Sequence, residues 1–381
     1  MTFVLALVVM AGSVHAFETR AKAAFVLDHT TGTVLLSKDA DVPLPPASMS
    51  KLMTLYMAFE AVRDGRLKLD EELRVSEHAM SYGGSTLFLQ AGERVSVAAL
   101  LRGIIVLSGN DACAVIAEAL SRDGTEAGFA RDMTERAKEL GMTHSTFANS
   151  NGWPDPTQRM SMRDLAIVSE RIIEDFPEFY KMFAEEEFVF DKTESQNRFN
   201  RNPLLGLGIG ADGLKTGHTQ EAGYGLAGSV VQGKRRIIFV ISGLETEQAR
   251  AREAEAITNW AFRQFTTAQL LEEGQVVAKA DVWMGEVDSV ALTPAAALET
   301  LVPVGGARKI AAEVIYDGPL EAPVEAGATV GKILIKPEGL EPTEVPLVAA
   351  NAVAKGGAMV RLKLASKRVL RKVIAGAEGA L

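Results

Sequence analysis

The apolar residues of this chain follow two different periods, and the change between them lies near Glu273. Before this point, several segments repeat apolar residues every three or four positions, which is typical of helices with one buried face. After it, Val-rich runs alternate with turns such as Asp317-Gly318-Pro319, which is typical of short strands. Because 381 residues can form two cores, we expect a mixed helix-and-strand domain followed by an all-β domain.

The first domain is predicted to combine one sheet with several helices. Its strands are expected in residues 21–37, as a hairpin around Thr31-Gly32, and in an antiparallel meander at residues 213–219, 224–232 and 235–243. Its helices are expected at residues 48–63, 97–107, 111–120, 127–140, 162–173 and 248–265. This order implies helices packed around one mixed core sheet.

The N-terminal residues 1–16 are almost wholly apolar and end in Val14-His15-Ala16, which fits the small-residue rule for signal-peptide cleavage. The stretch is too short to span a bilayer. It lacks Lys and Arg, whereas export signals normally begin with positive charge, so a buried N-terminal strand or helix stays open as the alternative. We therefore predict a signal peptide at 1–16, a catalytic domain at 17–270 and an all-β domain at 271–362.

The C-terminal residues 363–381 are predicted to form a basic amphipathic tail. Basic and apolar side chains alternate there at helical spacing: Lys363, Lys367, Arg368, Arg371 and Lys372 beside Leu364, Val369, Leu370, Val373 and Ile374. In a chain of net charge −9, this local reversal indicates contact with anionic lipid headgroups. A solvated terminal helix is the alternative.

Composition excludes several classes of function. With 40 Lys and Arg against 49 Asp and Glu, the chain has no general basic surface for a nucleic acid. Its single cysteine, Cys113, excludes an internal disulfide and a cysteine-based metal site. The five histidines are scattered without metal-ligand spacing, so we predict neither a metal nor a cofactor.

Ser48 and Lys51 lie three residues apart at the predicted start of a helix, directly after Pro45-Pro46. Side chains at this spacing share a helix face and can meet. A serine hydroxyl becomes a good nucleophile when a base takes its proton, and burial or nearby cations can keep a lysine amine uncharged for that task. A helix-capping serine is the plain structural alternative.

The stretch Ser108-Gly109-Asn110 lies between two predicted apolar helices and presents a hydroxyl beside an amide. Ser108 could relay a proton between a lysine, a nucleophile and a leaving amine, while Asn110 could hold a substrate amide. A polar turn between helices is the alternative, since Ser195-Gln196-Asn197 has the same pattern.

The tripeptide Lys215-Thr216-Gly217 lies on the first strand of the predicted meander. Its glycine is expected to let a substrate backbone lie close along the strand. Lys215 and Thr216 can then bind an anionic terminus, although a solvated strand lysine is the alternative.

These three motifs, in this order, resemble those of the serine penicillin-recognising enzymes. The chain is most similar to low-molecular-weight penicillin-binding proteins that act as D-alanyl-D-alanine carboxypeptidases. The segments that carry the resemblance are PPASMSKLMT, LSGNDAC, NRN at 200–202, DGLKTGHT and REAE at 252–255. It covers residues 21–381 and implies an α/β (α+β) penicillin-binding-protein/β-lactamase-like transpeptidase fold, followed by a small all-β sandwich-like domain.

The resemblance also implies roles for individual residues. Ser48 would form the acyl-enzyme, Lys51 would accept its proton, and Ser108 would relay that proton to the departing D-alanine. The substrate-binding residues implied in this way are Asn110, Lys215, Thr216, Gly217, His218 through its backbone N–H in the oxyanion hole, Arg201 and Arg252. The loop 81–88 matches a family loop that borders the site.

The implied function is removal of the terminal D-alanine from peptidoglycan pentapeptide through a Ser48 ester. Such an enzyme lies in the periplasm, on the outer face of the inner membrane, contributes to cell-wall biogenesis and is acylated by β-lactam antibiotics. No cofactor or nucleic acid is implied.

Two other functions remain possible from the sequence. A class A β-lactamase normally carries Glu-x-x-Leu-Asn after the second motif to activate the deacylating water, and here the corresponding residues 143–154 include no glutamate. A non-catalytic cell-wall scaffold would use the β domain and tail as interaction surfaces, but it would have no need of intact Ser48, Lys51, Ser108 and Lys215. An α/β-hydrolase is disfavoured because Gly-x-Ser-x-Gly is absent.

Overall fold

The computed structural model of this protein describes residues 3–7, 17–190, 198–304, 310–336 and 342–357. Residues Phe17–Phe262 form one compact unit, and the described residues from Arg263 onward, together with the short N-terminal strand, form a second. The change of period near residue 273 thus lies shortly after this division, with the strand Phe265–Leu271 between them. The predicted tail at 363–381 lies outside the described residues.

The strands and helices are named here in chain order. The strands are β1 Phe3–Leu7, β2 Ala23–Asp28, β3 Thr33–Lys38, β4 Glu72–Arg74, β5 Arg94–Ser96, β6 Ala211–Thr219, β7 Gly223–Gln232, β8 Arg235–Leu244, β9 Phe265–Leu271, β10 Ala278–Trp283, β11 Ser289–Pro294, β12 Leu298–Pro303, β13 Ile310–Tyr316, β14 Leu320–Glu321, β15 Thr329–Lys336 and β16 Thr343–Ala349. The helices are α1 Lys51–Arg63, α2 Glu77–Met80, α3 Val97–Arg102, α4 Asn110–Leu120, α5 Glu126–Glu139, α6 Met162–Asp175, α7 Pro177–Tyr180 and α8 Glu247–Gln264. Shorter helical turns lie at Ala47–Ser50, Gly103–Leu107 and Lys181–Ala184.

The sheet of the first unit has the strand order β3-β2-β8-β7-β6. Every neighbouring pair is antiparallel, so the expectation of a mixed sheet is wrong. The hairpin and the meander were each recognisable, but their mutual direction depends on the long-range pairing of β2 with β8. As a result, β6 lies at the edge of the sheet, where one side of its backbone faces away from β7.

Helices α1 and α4 form the centre of the first unit. Nine of the thirteen residues of α1 are buried, including Lys51, Leu52 and Leu55, because α1 contacts α4, α5 and α6. Phe59 of α1 stacks on Phe179 with ring centroids 5.0 Å apart. Burial on all sides explains why the lysine at the start of α1 is enclosed by protein instead of extending to water.

The break between the two apolar helices lies where the sequence predicts it. Gly103–Leu107 closes α3 with a π-helical turn, and α4 begins at Asn110. Ser108 has a φ of +63°, a left-handed conformation that side chains other than glycine seldom adopt. This residue ends the helix and turns the chain toward the Ser48 region.

The second unit is all-β, as predicted. Its larger sheet has the order β1-β13-β15-β16-β11-β10-β14, and β9 pairs with β12 in a separate ribbon. Alternate residues of the strands fill one core, with Leu292, Val314, Ile333 and Leu347 among the most buried.

The N-terminal strand β1 pairs antiparallel with β13, with Phe3 opposite Val314 and Leu7 opposite Ile310. A strand is the alternative that the sequence leaves open for these residues. Cleavage of the chain after Ala16 stays a prediction.

Candidate active site

Ser48 lies in the tight helical turn Ala47–Ser50, immediately before α1. Ala47 has a φ of +48°, and Gly152, with a φ of +83°, packs directly against it. A Cβ atom at position 152 would overlap the Ala47 carbonyl oxygen, so glycine alone fits this contact. Ala47 and Met49 are buried while Ser48 is partly exposed, so the turn presents one hydroxyl at the edge of the core.

Lys51 is enclosed by three hydrogen-bonding groups from three parts of the chain. Its Nζ atom lies 2.8 Å from Ser48 Oγ, 2.8 Å from Asn110 Oδ1 and 2.5 Å from the Asn151 carbonyl oxygen. Burial lowers the pKa of Lys51 to about 8. In the neutral amine, two hydrogens can remain on Asn110 and Asn151, which leaves the lone pair facing the Ser48 hydroxyl.

The second motif supplies one anchored amide and one buried hydroxyl. Asn110 donates from Nδ2 to the Gly83 carbonyl at 2.9 Å, while its Oδ1 accepts from Lys51, so both ends of the amide contact protein. Ser108 is almost fully buried, and its hydroxyl has no hydrogen-bond partner within the described residues. An unpaired buried hydroxyl is unfavourable in a resting protein and is therefore a candidate for a group that acts on substrate.

The third motif lies on the edge strand β6. Lys215 is buried, and burial followed by the charges of Lys51 and Arg201 holds its pKa well below the usual value. Its ammonium lies 3.3 Å from the Thr216 carbonyl oxygen. Among the described residues, no carboxylate forms an ion pair with Lys215, so no acidic partner at hydrogen-bonding distance offsets the repulsion from Lys51 and Arg201.

Gly217 lies close to the turn that carries Ser48. A Cβ atom there would lie 3.0 Å from the Pro46 carbonyl oxygen and 3.1 Å from Met49 Cγ. The missing side chain therefore lets β6 approach this turn. Room for a substrate backbone along the strand at Gly217 stays a prediction.

The two predicted arginines have different surroundings. Arg201 donates to Ser85 Oγ at 2.9 Å and to the Leu107 carbonyl at 2.8 Å, so it joins the loop 81–88 to the residue before Ser108. Arg252 is exposed on α8, and the structure does not bring it to this group. Arg250 is the α8 arginine that faces inward, where it donates to the Arg201 carbonyl at 3.2 Å.

A cavity of about 250 Å³ opens beside Ser48. It is lined by Ser48, Gly84, Ser85, Asn110, Asn151, Gly152, Trp153, Pro154, His218 and Thr219. His218 is exposed at this cavity and its ring stacks on Tyr224, with centroids 3.8 Å apart. The predicted loop 81–88 borders the cavity through Gly84 and Ser85, so the first motif, the second motif and β6 converge on one space.

Trp153 stands at the rim of the cavity. The ring lies against the glycines of the loop 81–88, since a Cβ atom at Gly84 would be 3.6 Å from it, and it meets the Tyr82 ring edge-on at 5.8 Å. Its backbone N–H donates to Asn151 Oδ1 at 2.9 Å. This exposed aromatic ring is therefore held in place.

A buried carboxylate behind the cavity did not emerge from the sequence. Glu126 accepts hydrogen bonds from Ser150 and Asn151 and lies 2.7 Å from His78 Nε2 and from the Tyr82 hydroxyl. At the first position of α5 it resembles an ordinary acidic residue at a helix start. The polar run 149–152 was the available signal in the sequence for its partners.

No group of three or more His, Cys, Asp or Glu side chains in the described part of the chain is arranged to hold a metal ion. The chemistry that this arrangement supports is nucleophilic attack by Ser48, with Lys51 as the adjacent base.

Comparison with known proteins matches both units. The family model described as D-alanyl-D-alanine carboxypeptidase matches residues 10–246, and that of the penicillin-binding protein 5 C-terminal domain matches residues 265–355. D-alanyl-D-alanine carboxypeptidase DacC of Escherichia coli (strain K12) is 35% identical over 353 residues, which are 91% of this chain and 87% of that protein.

Solved structures agree with these matches. Penicillin binding protein 5 from Haemophilus influenzae has a TM-score of 0.77 and 32% identity, with 90% of this chain and 100% of that chain covered. Penicillin-Binding Protein D2 from Listeria monocytogenes in the ampicillin-bound form has a TM-score of 0.56 and 30% identity, with 65% of this chain and 98% of that chain covered. The predicted transpeptidase fold and the all-β second domain are confirmed.

Proposed function

This chain belongs to the D-alanyl-D-alanine carboxypeptidase family, and we propose that Ser48 is the nucleophile with which it removes the terminal D-alanine from peptidoglycan pentapeptide. The contact that carries this assignment is the 2.8 Å approach of Lys51 Nζ to Ser48 Oγ. It combines the nucleophile and the base of a serine-type hydrolase in one helical turn.

The first half-reaction forms an ester. The neutral Lys51 amine takes the Ser48 proton as Oγ bonds to the carbonyl carbon between the two D-alanines. The backbone N–H groups of Ser48 and His218 stabilise the resulting oxyanion. When the C–N bond breaks, Ser108 passes the proton to the departing D-alanine amine, and water later hydrolyses the Ser48 ester.

The charges around β6 suit the free carboxylate of the substrate. Burial first, and then repulsion by the charges of Lys51 and Arg201, holds the pKa of Lys215 well below its usual value. An anion bound beside Lys215 and Thr216 would relieve this repulsion. We therefore assign the terminal carboxylate of the D-Ala-D-Ala end to these residues, with Arg201 beside them, and assign Asn110 to the region of the substrate amide.

The decisive test is mass spectrometry of the intact protein after exposure to penicillin, followed by peptide mapping. We expect one stable adduct on Ser48, no adduct in Ser48→Ala, and release of D-alanine from a D-Ala-D-Ala peptide by the wild type. An adduct that is hydrolysed rapidly would instead identify a β-lactamase, and the absence of any adduct would favour a non-catalytic scaffold.

We further propose that the protein is exported to the periplasm and held at the outer face of the inner membrane by residues 363–381. The apolar residues 1–16 and the basic tail support this location. Within the described residues, no helix combines the length and apolarity needed to cross a membrane. N-terminal sequencing of the exported protein should begin at Phe17, and truncation after residue 362 should move the protein from the membrane fraction to the soluble fraction.

A further inference from the structure

Glu126 is a buried carboxylate that joins two loops of the active site. Its Oε1 atom accepts from the Ser150 backbone N–H at 2.9 Å and from Asn151 Nδ2 at 3.4 Å. Its Oε2 atom lies 2.7 Å from His78 Nε2 and accepts from the Tyr82 hydroxyl at 2.7 Å. The Ser150 hydroxyl also donates to Oε1, so both oxygens are fully engaged.

The loop held by Glu126 contacts the helix that carries Lys51. The Asn151 carbonyl oxygen accepts from Lys51 Nζ, and the Ser150 carbonyl oxygen accepts from the Thr54 hydroxyl one turn further along α1. The Asn151 carbonyl therefore belongs to a loop whose backbone and side-chain groups donate hydrogen bonds to Glu126. The direction of this carbonyl depends on that loop.

We propose that Glu126 is a positioning residue that orients the Lys51 amine through the Asn151 carbonyl. This inference rests on Lys51 being the base that activates Ser48. It differs from an ordinary role at a helix start, because the carboxylate accepts from side chains and backbone outside α5.

The charge of Glu126 acts on Lys51 in the opposite direction to burial. Burial lowers the pKa of Lys51 and the Glu126 carboxylate raises it. The other titratable or charged groups around the two residues are Cys113 and Asp111 from α4, Arg201, Lys215 from β6, and His78 and Tyr82 beside Glu126. Removal of the Glu126 charge removes one of the contributions that raise the pKa of Lys51, so this pKa should fall.

The test is the pH dependence of penicillin acylation in Glu126→Gln, a variant that keeps the shape and removes the charge. We expect the acid limb of the profile to move to lower pH, since the Glu126 charge favours the protonated form of Lys51. The plateau rate should also fall, because the amide has one acceptor oxygen where the carboxylate has two.

Asp164→Asn is the matched control. Asp164 is also buried and also holds a loop, by accepting from the His144 backbone N–H at 2.8 Å and the Ser145 hydroxyl at 2.7 Å. It does not belong to the charges that shift the pKa of Lys51. Its variant should lose thermal stability while the acid limb stays at the wild-type pH.

A folded Glu126→Gln protein in which both the acid limb and the plateau rate are unchanged overturns the inference. If that variant does not fold, Glu126→Asp provides the test. The shorter side chain keeps the charge, so we expect acylation to be slowed at least tenfold while the acid limb stays at the wild-type pH. Acylation at the wild-type rate would contradict the positioning role. Acylation of the wild type at Ser48 is measured in parallel, so failure of the proposed nucleophile is distinguished from failure of the role of Glu126.

Discussion

The Nζ atom of Lys51 lies 2.8 Å from the Oγ atom of Ser48, and the two residues are one helical turn apart. Burial lowers the pKa of Lys51 to about 8, so the fraction of neutral amine grows as the pH rises toward that value. We expect acylation by penicillin to accelerate roughly tenfold per pH unit on the acid side and to level off above pH 8. Stopped-flow or quenched-flow acylation rates measure this profile.

Removal of the Lys51 amine should abolish the pH dependence of acylation described above. Lys51→Ala is expected to slow acylation by about 10²–10⁴-fold, the usual contribution of a general base. Arginine at this position stays protonated, so Lys51→Arg should be inactive across the whole pH range. Acylation of either variant at the wild-type rate would contradict the role of Lys51.

Lys215→Ala should weaken recognition of the substrate carboxylate. A charge-assisted contact of this kind contributes about 1.5–3 kcal/mol, so we expect kcat/KM for a D-Ala-D-Ala peptide to fall about 10- to 100-fold. For a peptide with an amidated C-terminus, kcat/KM should fall much less in this variant. Lys38→Ala is the control, because Lys38 donates to the backbone carbonyls of Thr19 and Ala21 elsewhere in the same unit.

Gly152→Ala should disturb the turn that carries Ser48. The added methyl would overlap the Ala47 carbonyl oxygen, and the φ of +83° is itself unfavourable for alanine. Gly124→Ala is a matched control, since Gly124 has a φ of +71° and open space around it. We expect about 1 kcal/mol of destabilisation in the control and several times as much at position 152, with slowed acylation only there. Thermal unfolding and acylation rates together test this difference.

Trp153→Ala should raise KM for peptide substrates. The ring is 44% exposed at the rim of the cavity and is positioned to cover apolar parts of a bound stem peptide. A buried area of a few tens of Å² corresponds to about 1 kcal/mol, so we expect KM to rise about fivefold with little change in kcat. Trp283→Ala in the all-β unit removes an equally exposed ring, 45%, and should leave both constants unchanged.

Sequence alone predicted the parts of the site that depend on local geometry. Ser48 and Lys51 are three positions apart in a helical segment, so their contact follows from the helical geometry itself. The break at Ser108 was visible because a polar Ser-Gly-Asn stretch interrupts two apolar runs. Resemblance to a known family supplied the pairing of these motifs with Lys215, which no local pattern contains.

Residues that depend on helix phase or distant packing were harder to predict. Arg250 and Arg252 lie on one helix two positions apart and therefore point in different directions, and the sequence does not show which faces the core. Glu126 and Asn151 are 25 residues apart, and their contact exists only because α5 and the following loop return to the same place. The close packing of Gly217 against Met49 was not predicted, because Met49 lies on a different element.

The three hydrogen-bonding groups around Lys51 belong to segments that span residues 48 to 151, and the longest of these contacts joins positions 100 residues apart. A partly folded chain therefore has a lysine that stays protonated in water and a serine with ordinary alcohol reactivity. Covalent labelling by a fluorescent β-lactam can therefore report the time course of folding. During refolding or export, each labelled molecule is one whose central helices and loops have already assembled.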